Sequence, residues 1–332
     1  MSFSRKSAMI WNDLRKLIEG NESFLISSHL SLDGDCVGSA LAFSWYCTSL
    51  GKKATVYNHD PVPAKFAFLR NAGIAGLAGL IRTEPPPAGC VDAFVVLDCS
   101  NLRRLGWDTT GYAGLPIINI DHHRDNTLFG TVNIVDTKAS ATGQLIYRFF
   151  TDEHIAFPPE IAEALYVAIM TDTGGFRFPN TTSGILRICA DLAEKGADPS
   201  KIYEKVYASH STTALLLQSR IWSTMKFYFD DKVCSMEMPL GLLDELGASY
   251  SDSEGMADCT ITGADVEVGI LTKHTATETH FSLRSKGAID VGKIAQKIKG
   301  GGGHSSAAGC TIRQPLAKAL DEMLAIIKQE LR

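Results

Sequence analysis

The first half of the chain alternates short, almost wholly apolar runs with stretches of helical spacing, and this rhythm constrains the fold more than any other feature. Phe24-Leu25-Ile26-Ser27-Ser28 reads as a buried strand. Asp35 to Leu50 follows with Val37, Leu41, Trp45 and Leu50 at helical spacing, and Gly51 is suited to end that helix. Lys53–Tyr57, Ala93–Asp98 and Pro116–Ile120 read as further strands. Strands apolar on both faces and separated by helices predict an α/β fold whose N-terminal part is a doubly wound, mainly parallel sheet. Residues 141 to about 232 read as mostly helical: Ala141–Asp152, Pro159–Met170, Ser183–Lys195, Lys201–Tyr207 and Thr213–Phe229, with Gly196-Ala197-Asp198-Pro199 as a break. A smaller α/β unit begins near Asp231. Val233–Met238, Val266–Thr272 and Thr279–Leu283 read as its strands, and Leu316–Leu331 as a closing amphipathic helix. The polar stretch Tyr250–Gly255 is expected to be a loop within this unit, and Pro85-Pro86-Pro87 a stiff surface connection. The expected division is a domain over 1–208, a connecting helix over 209–232 and a second domain over 233–332, the two domains forming a cleft.

Composition narrows the function classes. A chain of 332 residues with 45% apolar and 21% charged residues can build a core in each half. A net charge of −5 argues against duplex DNA as a partner, because such binding neutralises many phosphates. No run of about twenty apolar residues and no apolar signal segment occurs, so no membrane partner is expected. The eight cysteines, at 36, 47, 90, 99, 189, 234, 259 and 310, form no C-x-x-C pair. They read as small buried hydrophobes in a reducing, cytoplasmic setting rather than as disulfides or zinc ligands.

The acids and histidines fall at the strand ends. His29, Asp33 and Asp35 follow the first strand as His29-x-x-x-Asp33-x-Asp35; Asp98 closes the third, and Asp121-His122-His123 closes the fourth. In a doubly wound sheet the carboxyl ends of the strands share one edge, where ligands bind. Asp172, in Met170-Thr171-Asp172-Thr173-Gly174-Gly175, ends an apolar helix and could reach the same crevice. Each piece alone has a plainer reading: Asp-Gly-Asp as a turn and helix cap, Asp98 as a cap, His122-His123 as neighbours facing opposite ways. All of them together at strand ends favour a metal site. Two like charges about 4 Å apart repel by roughly 4 kcal/mol at an effective dielectric near 20. Two divalent cations remove that conflict. Mixed His/Asp ligation suits Mn²⁺ or a similar ion, with Mg²⁺ and Co²⁺ as alternatives. A carboxylate shared between two ions about 3.5–4 Å apart suits in-line attack on phosphorus.

The Asp121-His122-His123 triplet, with His29-x-x-x-Asp33-x-Asp35 upstream, resembles the DHH phosphoesterase superfamily. The segment Gly300-Gly301-Gly302-Gly303-His304-Ser305-Ser306-Ala307-Ala308-Gly309 resembles the signature of its DHHA1 companion domain. Length and both signatures are most similar to bacterial bifunctional oligoribonucleases and pAp phosphatases. The resemblance implies that 1–208 is a metal-binding catalytic domain and 233–332 a substrate-binding one. It implies one metal on His29, Asp33 and Asp98, and another on Asp35, Asp98, His122 and Asp172, with Asp98 bridging. By the same resemblance Asp121 would orient a histidine, and His123 would face the substrate phosphate as a donor or proton source.

The glycine run has a rationale of its own. Gly301, Gly302 and Gly303 leave backbone N–H groups open to an anion, and His304 adds a side-chain donor. A flexible linker is the plain alternative, but the run leads directly into the strand-like Cys310-Thr311-Ile312-Arg313. Arg284 ends a strand, where an arginine is ordinarily a solvated surface charge. By resemblance it would grip a terminal phosphate. Arg104 is a further substrate candidate, made ambiguous by Arg103 beside it. The resemblance thus implies hydrolysis of short RNA oligonucleotides and of small 3′-phosphorylated nucleotides such as pAp, with room for a homodimer. The alternatives are a phosphodiesterase for cyclic di-AMP or its linear form, a pyrophosphatase or polyphosphatase, and a nucleotide-binding regulator without turnover.

Overall fold

The computed structural model describes residues 5–70, 81–82, 84–253, 255–303 and 305–331. The chain forms two compact units, Met1–Ser209 and His210–Arg332.

The first unit runs α1 (Arg5–Glu19), β1 (Ser23–Ser27), α2 (Gly34–Ser49), β2 (Lys53–Tyr57), α3 (Ala67–Arg70), β3 (Ile81–Arg82), β4 (Ala93–Leu97), β5 (Ile117–Asp121) and β6 (Val132–Val135). Four helices follow: α4 (Thr142–Asp152), α5 (Pro159–Asp172), α6 (Ser183–Glu194) and α7 (Pro199–Tyr207). The six strands make one parallel sheet in the order β3-β2-β1-β4-β5-β6. The chain starts at the middle with β1, winds outward to β3, then returns to lay β4 against the other side of β1. That reversal puts a topological switch point between β1 and β4, where the two windings leave a crevice beyond the strand ends.

Burial follows from the apolar runs. All five residues of β4 are buried, as are four of the five in β1. On one face, α2 lies against the sheet and is covered in turn by α5 and α4, so it is buried almost all round from Gly34 to Cys47. Trp11, Leu14 and Ile18 of α1 join this core. The opposite face is covered by Leu105, Trp107 and Tyr112 packed on Leu25, Tyr57, Phe94 and Val96. The four strands expected from the sequence are present, and β3 and β6 extend the sheet at its two edges.

The second unit contains α8 (Thr212–Trp222), β7 (Lys226–Tyr228), β8 (Val233–Pro239), α9 (Gly241–Leu246), α10 (Met256–Cys259), β9 (Val268–His274) and β10 (Thr279–Ser285). It ends with α11 (Val291–Gln296), β11 (Gly302–Gly303), β12 (Ala307–Ile312) and α12 (Leu316–Glu330). Its sheet has the order β11-β12-β10-β9-β8-β7, antiparallel except for the β8–β9 pair. Helices α11 and α12 cover one face through Val291, Ile294, Met323 and Ile327. Helix α8 and the α9–α10 segment cover Met236, Met238 and Leu271 on the other. The segment 209–232, expected as a connecting helix, holds α8 and β7. The helix expected over Thr213–Phe229 stops at Trp222. Thr224 turns the chain there: its hydroxyl donates to Ile221 O (2.6 Å) and accepts from Glu237 N (2.7 Å), tying the turn to β8. Tyr250–Ser253 forms a short 3-10 turn within this unit.

Every described cysteine is a free thiol; six are buried, Cys259 is half-buried and Cys90 is exposed. Among the described residues no helix is long and apolar enough to cross a membrane.

Candidate metal centre

Strand β1 ends at Ser27 and β4 at Leu97, so His29 and Asp98 emerge on the two sides of the switch point. Helix α2 starts beside them and carries Asp33 as its N-cap and Asp35 in its first turn. Strand β5 ends in Asp121 and delivers His122 and His123, while Asp172 is the last residue of α5. All eight side chains therefore arrive from the ends of elements.

They meet around Asp98. His29 Nε2 lies 3.4 Å from Asp98 Oδ2 and 3.8 Å from Asp33 Oδ2. His122 Nε2 lies 3.4 Å from Asp98 Oδ1, 3.2 Å from Asp172 Oδ2 and 3.9 Å from Asp35 Oδ2. One oxygen of Asp98 thus faces His29 and the other faces His122. Asp98 is 1% exposed and adopts φ 54°, a left-handed conformation that Asp tolerates better than most residues.

The imidazoles are held for ligation through Nε2. His29 Nδ1 donates to Leu30 O (2.6 Å) and His122 Nδ1 to Ala139 O (3.3 Å). A carbonyl can only accept, so Nδ1 carries a proton, and Nε2 is the nitrogen turned to the carboxylates, the one that would bind a cation once its own proton is displaced. His123 is held differently. Its Nδ1 lies 2.7 Å from Asp121 Oδ1, and Asn126 Nδ2 donates to the other Asp121 oxygen (2.6 Å). Asp121, fully buried, therefore fixes the ring of His123 from behind.

Asp35 is fixed by the start of α4. Thr142 N donates to Oδ2 (2.6 Å), while Gly143 N (2.8 Å) and Ser39 Oγ (2.9 Å) donate to Oδ1. Asp33 Oδ1 accepts from Cys36 N (2.9 Å), which leaves Oδ2 toward His29. Among the described residues, three groups have ligand atoms mutually within 4.8 Å: His29, Asp33, Cys36 and Asp98; Asp98, His122 and His123; and Asp35, His122 and Asp172.

Protonation reports the crowding. Burial raises the Asp172 carboxyl to about 7, and burial with the charges of Asp98 and Asp172 pushes Asp35 well above the usual carboxylate range. Asp98 goes the other way: burial opposes its charge, but hydrogen bonds from His122 and His29 hold it well below that range. The partners move with it. Burial would lower His29 and His122, yet Asp98 raises them to about 9 and about 11. Burial also opposes the charge on Asp121, which contact with His123 nevertheless holds low. Without cations the cluster recruits protons to offset four carboxylates; N and O donors of this kind suit divalent ions that would replace those protons.

The remaining candidates stand elsewhere. Leu30 N donates to Arg104 O (2.7 Å), so the Arg104 turn lies against the segment carrying His29; Arg104 is half-buried and Arg103 exposed. In the second unit, Arg284 Nε donates to Asp258 Oδ1 (2.5 Å) and its Nη1 to Leu283 O (3.1 Å). Gly302 and Gly303 pair with Gly309 and Ala308. A Cβ on Gly301 would meet Ala295 O at 2.2 Å, and one on Gly303 would meet Ala308 Cα at 2.5 Å, so close backbone approach explains both glycines. Gly302 has open space within 4 Å. His304 lies outside the described residues. The sequence reading missed Cys36, three residues after Asp33, and the α4 amides that hold Asp35.

Residues 23–169 match the DHH family, N-terminal domain, and residues 230–332 match the DHHA1 domain. The chain is 30% identical over 321 residues to the bifunctional oligoribonuclease and PAP phosphatase NrnA of Thermus thermophilus, covering 96% of this chain and 93% of that one. It is 25% identical to the Bacillus subtilis protein of the same name, over 90% of this chain and 92% of that one. The crystal structure of an exopolyphosphatase-related protein from Bacteroides fragilis superposes with a TM-score of 0.86 at 25% identity, covering 97% of this chain and 95% of that one.

Proposed function

The chain belongs to the DHH phosphoesterase family, and from that membership we propose that it is a two-metal hydrolase of short oligoribonucleotides and of pAp, releasing nucleoside monophosphates and AMP. The observation that carries this reading is the division of Asp98 between two donor groups, with Oδ2 toward His29 and Oδ1 toward His122. His29, Asp33 and Asp98 would hold one divalent ion; Asp35, Asp98, His122 and Asp172 would hold the other. Mn²⁺ suits this mixture of imidazole and carboxylate, with Mg²⁺ and Co²⁺ as alternatives. Such ions, when bound, neutralise charge developing on a phosphoryl group and lower the pKa of water.

The chain's own groups supply the rest. His123, pinned through Nδ1 by Asp121, is assigned the role of a donor to phosphate oxygen or a proton source for the leaving oxygen. Arg284 is assigned recognition of substrate phosphate; Asp258 holds its Nε and Leu283 O accepts from Nη1, so Nη2 is the nitrogen assigned to the phosphate. Gly301, Gly302, Gly303 and His304 are assigned to the same task, with the open space at Gly302 as the support. Arg104, half-buried beside the His29 segment, is a further candidate for a phosphate.

Turnover with Mn²⁺ of a diribonucleotide, a long RNA, pAp, cyclic di-AMP and pyrophosphate tests this. Fast release of mononucleotides from the dinucleotide and of AMP from pAp, with long RNA nearly untouched, is the expected result. Preferential cleavage of cyclic di-AMP or pyrophosphate would overturn the substrate assignment, and inertness toward the whole set would overturn the enzymatic one.

A further inference from the structure

Five of the eight cysteines fit the reading of small buried hydrophobes, but Cys36, though buried, does not. It sits in the first turn of α2, buried, and its Sγ lies 3.4 Å from Asp98 Oδ2. That oxygen is the one facing His29 Nε2, at 3.4 Å, and His29 Nε2 lies 3.8 Å from Asp33 Oδ2. An imidazole nitrogen, two carboxylate oxygens and a sulfur thus share one small volume, with ligand atoms mutually within 4.8 Å. Tetrahedral zinc, with bonds of about 2.0–2.3 Å, places its donors roughly 3.3–3.8 Å apart. The three separations just given fall in that span.

The donors are also positioned before any ion arrives. Leu30 O holds His29 Nδ1, and the capping bond from Cys36 N occupies Asp33 Oδ1. The same helix turn that caps through Cys36 N carries the thiol, so Asp33 and Cys36 are presented together. Among the described residues, the group of Asp35, His122 and Asp172 offers only nitrogen and oxygen donors.

We propose that Cys36 is a fourth protein donor at the first of the two metal positions, making that position selective for a thiophilic divalent cation such as Zn²⁺ or Co²⁺ over Mn²⁺ or Mg²⁺. The proposal rests on the two-metal reading and deepens it. Soft thiolate favours Zn²⁺ and Co²⁺, whereas Mn²⁺ and Mg²⁺ gain little from sulfur. The two positions therefore differ in the metals they prefer. A Zn²⁺ ion held by all four groups has a closed shell, the arrangement of structural rather than catalytic zinc. Excess Zn²⁺ then inhibits the enzyme assayed with Mn²⁺.

Titration of the full-length protein with Co²⁺ tests this, because cobalt reports its ligands optically. Wild type is expected to show weak visible bands on binding and an intense near-ultraviolet thiolate-to-cobalt charge-transfer band. Cys36→Ser, which keeps the volume and an O–H donor toward Asp98, should retain the visible bands and lose the charge-transfer band. Cys99→Ala, at the neighbouring buried thiol, should retain both. Zn²⁺ affinity by competition with a chromophoric chelator should fall by about tenfold or more in Cys36→Ser, with Mn²⁺ affinity changing far less. Visible bands without the charge-transfer band in wild type, or a band that survives in Cys36→Ser, would overturn the role of Cys36 and leave the metal centre standing. Absence of any cobalt binding would remove the metal centre and the proposal together.

Discussion

Asp98 meets two unfavourable demands at once. Its backbone is left-handed at φ 54°, which costs about 1–3 kcal/mol in a non-glycine residue, and its carboxylate is buried, which is costly for a charge without partners. Both oxygens are engaged, one toward His29 and one toward His122, so the position is tolerable only while those groups carry protons or share cations with it. Asp121 is as deeply buried but is used differently, between His123 and Asn126. Asp98→Asn should therefore weaken divalent-ion binding by about 100-fold or more. Asp121→Asn should keep ion binding within about tenfold and lower turnover by roughly 10²-fold through a misheld His123. Calorimetric ion titration beside initial rates separates the two, and equal losses of ion binding would contradict the division of roles. These acids were legible in the sequence because each closes an apolar run, and a parallel sheet gathers the ends of such runs. The supports of Asp35 were not. Thr142 and Gly143 reach it across more than a hundred residues, through backbone amides that carry no residue-type signal.

Two helices bring the far acids together, and their glycines set how closely they approach. A Cβ on Gly38 of α2 would meet Ala164 O of α5 at 2.2 Å, and one on Gly34 would meet the Thr171 side chain at 2.4 Å. With Gly143 at the start of α4 likewise placed against Ala168, α2 can settle on α5 until Asp35 and Asp172 share one end of the pair. Gly38→Ala tests this approach. Alanine gains about 1 kcal/mol of helix propensity, but a methyl against a backbone carbonyl cannot rotate away, and overpacking costs about 1–3 kcal/mol or more. A net loss of stability in denaturant unfolding is expected, with activity falling as the helices separate. A neutral or more stable variant would mean that the helices do not touch at this point. The central strands β1, β2, β4 and β5 were legible as apolar runs. The edge strand β6 was not, because Val132-Asn133-Ile134-Val135 is short and has only Ile134 buried. Strand β7 was hidden by helical periodicity that runs on through Trp222, Met225 and Phe227 past the turn at Thr224.

Each unit has its own apolar core, so ion binding confined to the first should stabilise that unit specifically. Its sign with pH follows from the groups involved. The folded unit keeps a proton on Asp172 up to about pH 7, whereas an unfolded aspartate loses it near 3.8. It keeps one on His29 up to about pH 9, against 6.5 when unfolded. In both windows the folded state binds more protons than the unfolded chain, so stability without metal falls as pH rises from about 4 to about 9. Asp98 and Asp121, held below the ordinary carboxylate range, contribute in the opposite sense only in more acidic solution. Divalent ions held by these residues would displace the protons on Asp172 and His29, so a loaded unit would escape this decline and gain affinity instead. The difference in melting temperature between ion-loaded and chelator-treated protein should therefore widen from pH 6 to pH 9. Tryptophan fluorescence can follow it, since Trp11, Trp45 and Trp107 all lie in the first unit and Trp222 alone in the second. A difference that stays constant or narrows over that range would mean that protons and cations do not compete for the same carboxylates and imidazoles, and the centre built around Asp98 would then have to be read as a protonated network rather than a metal site.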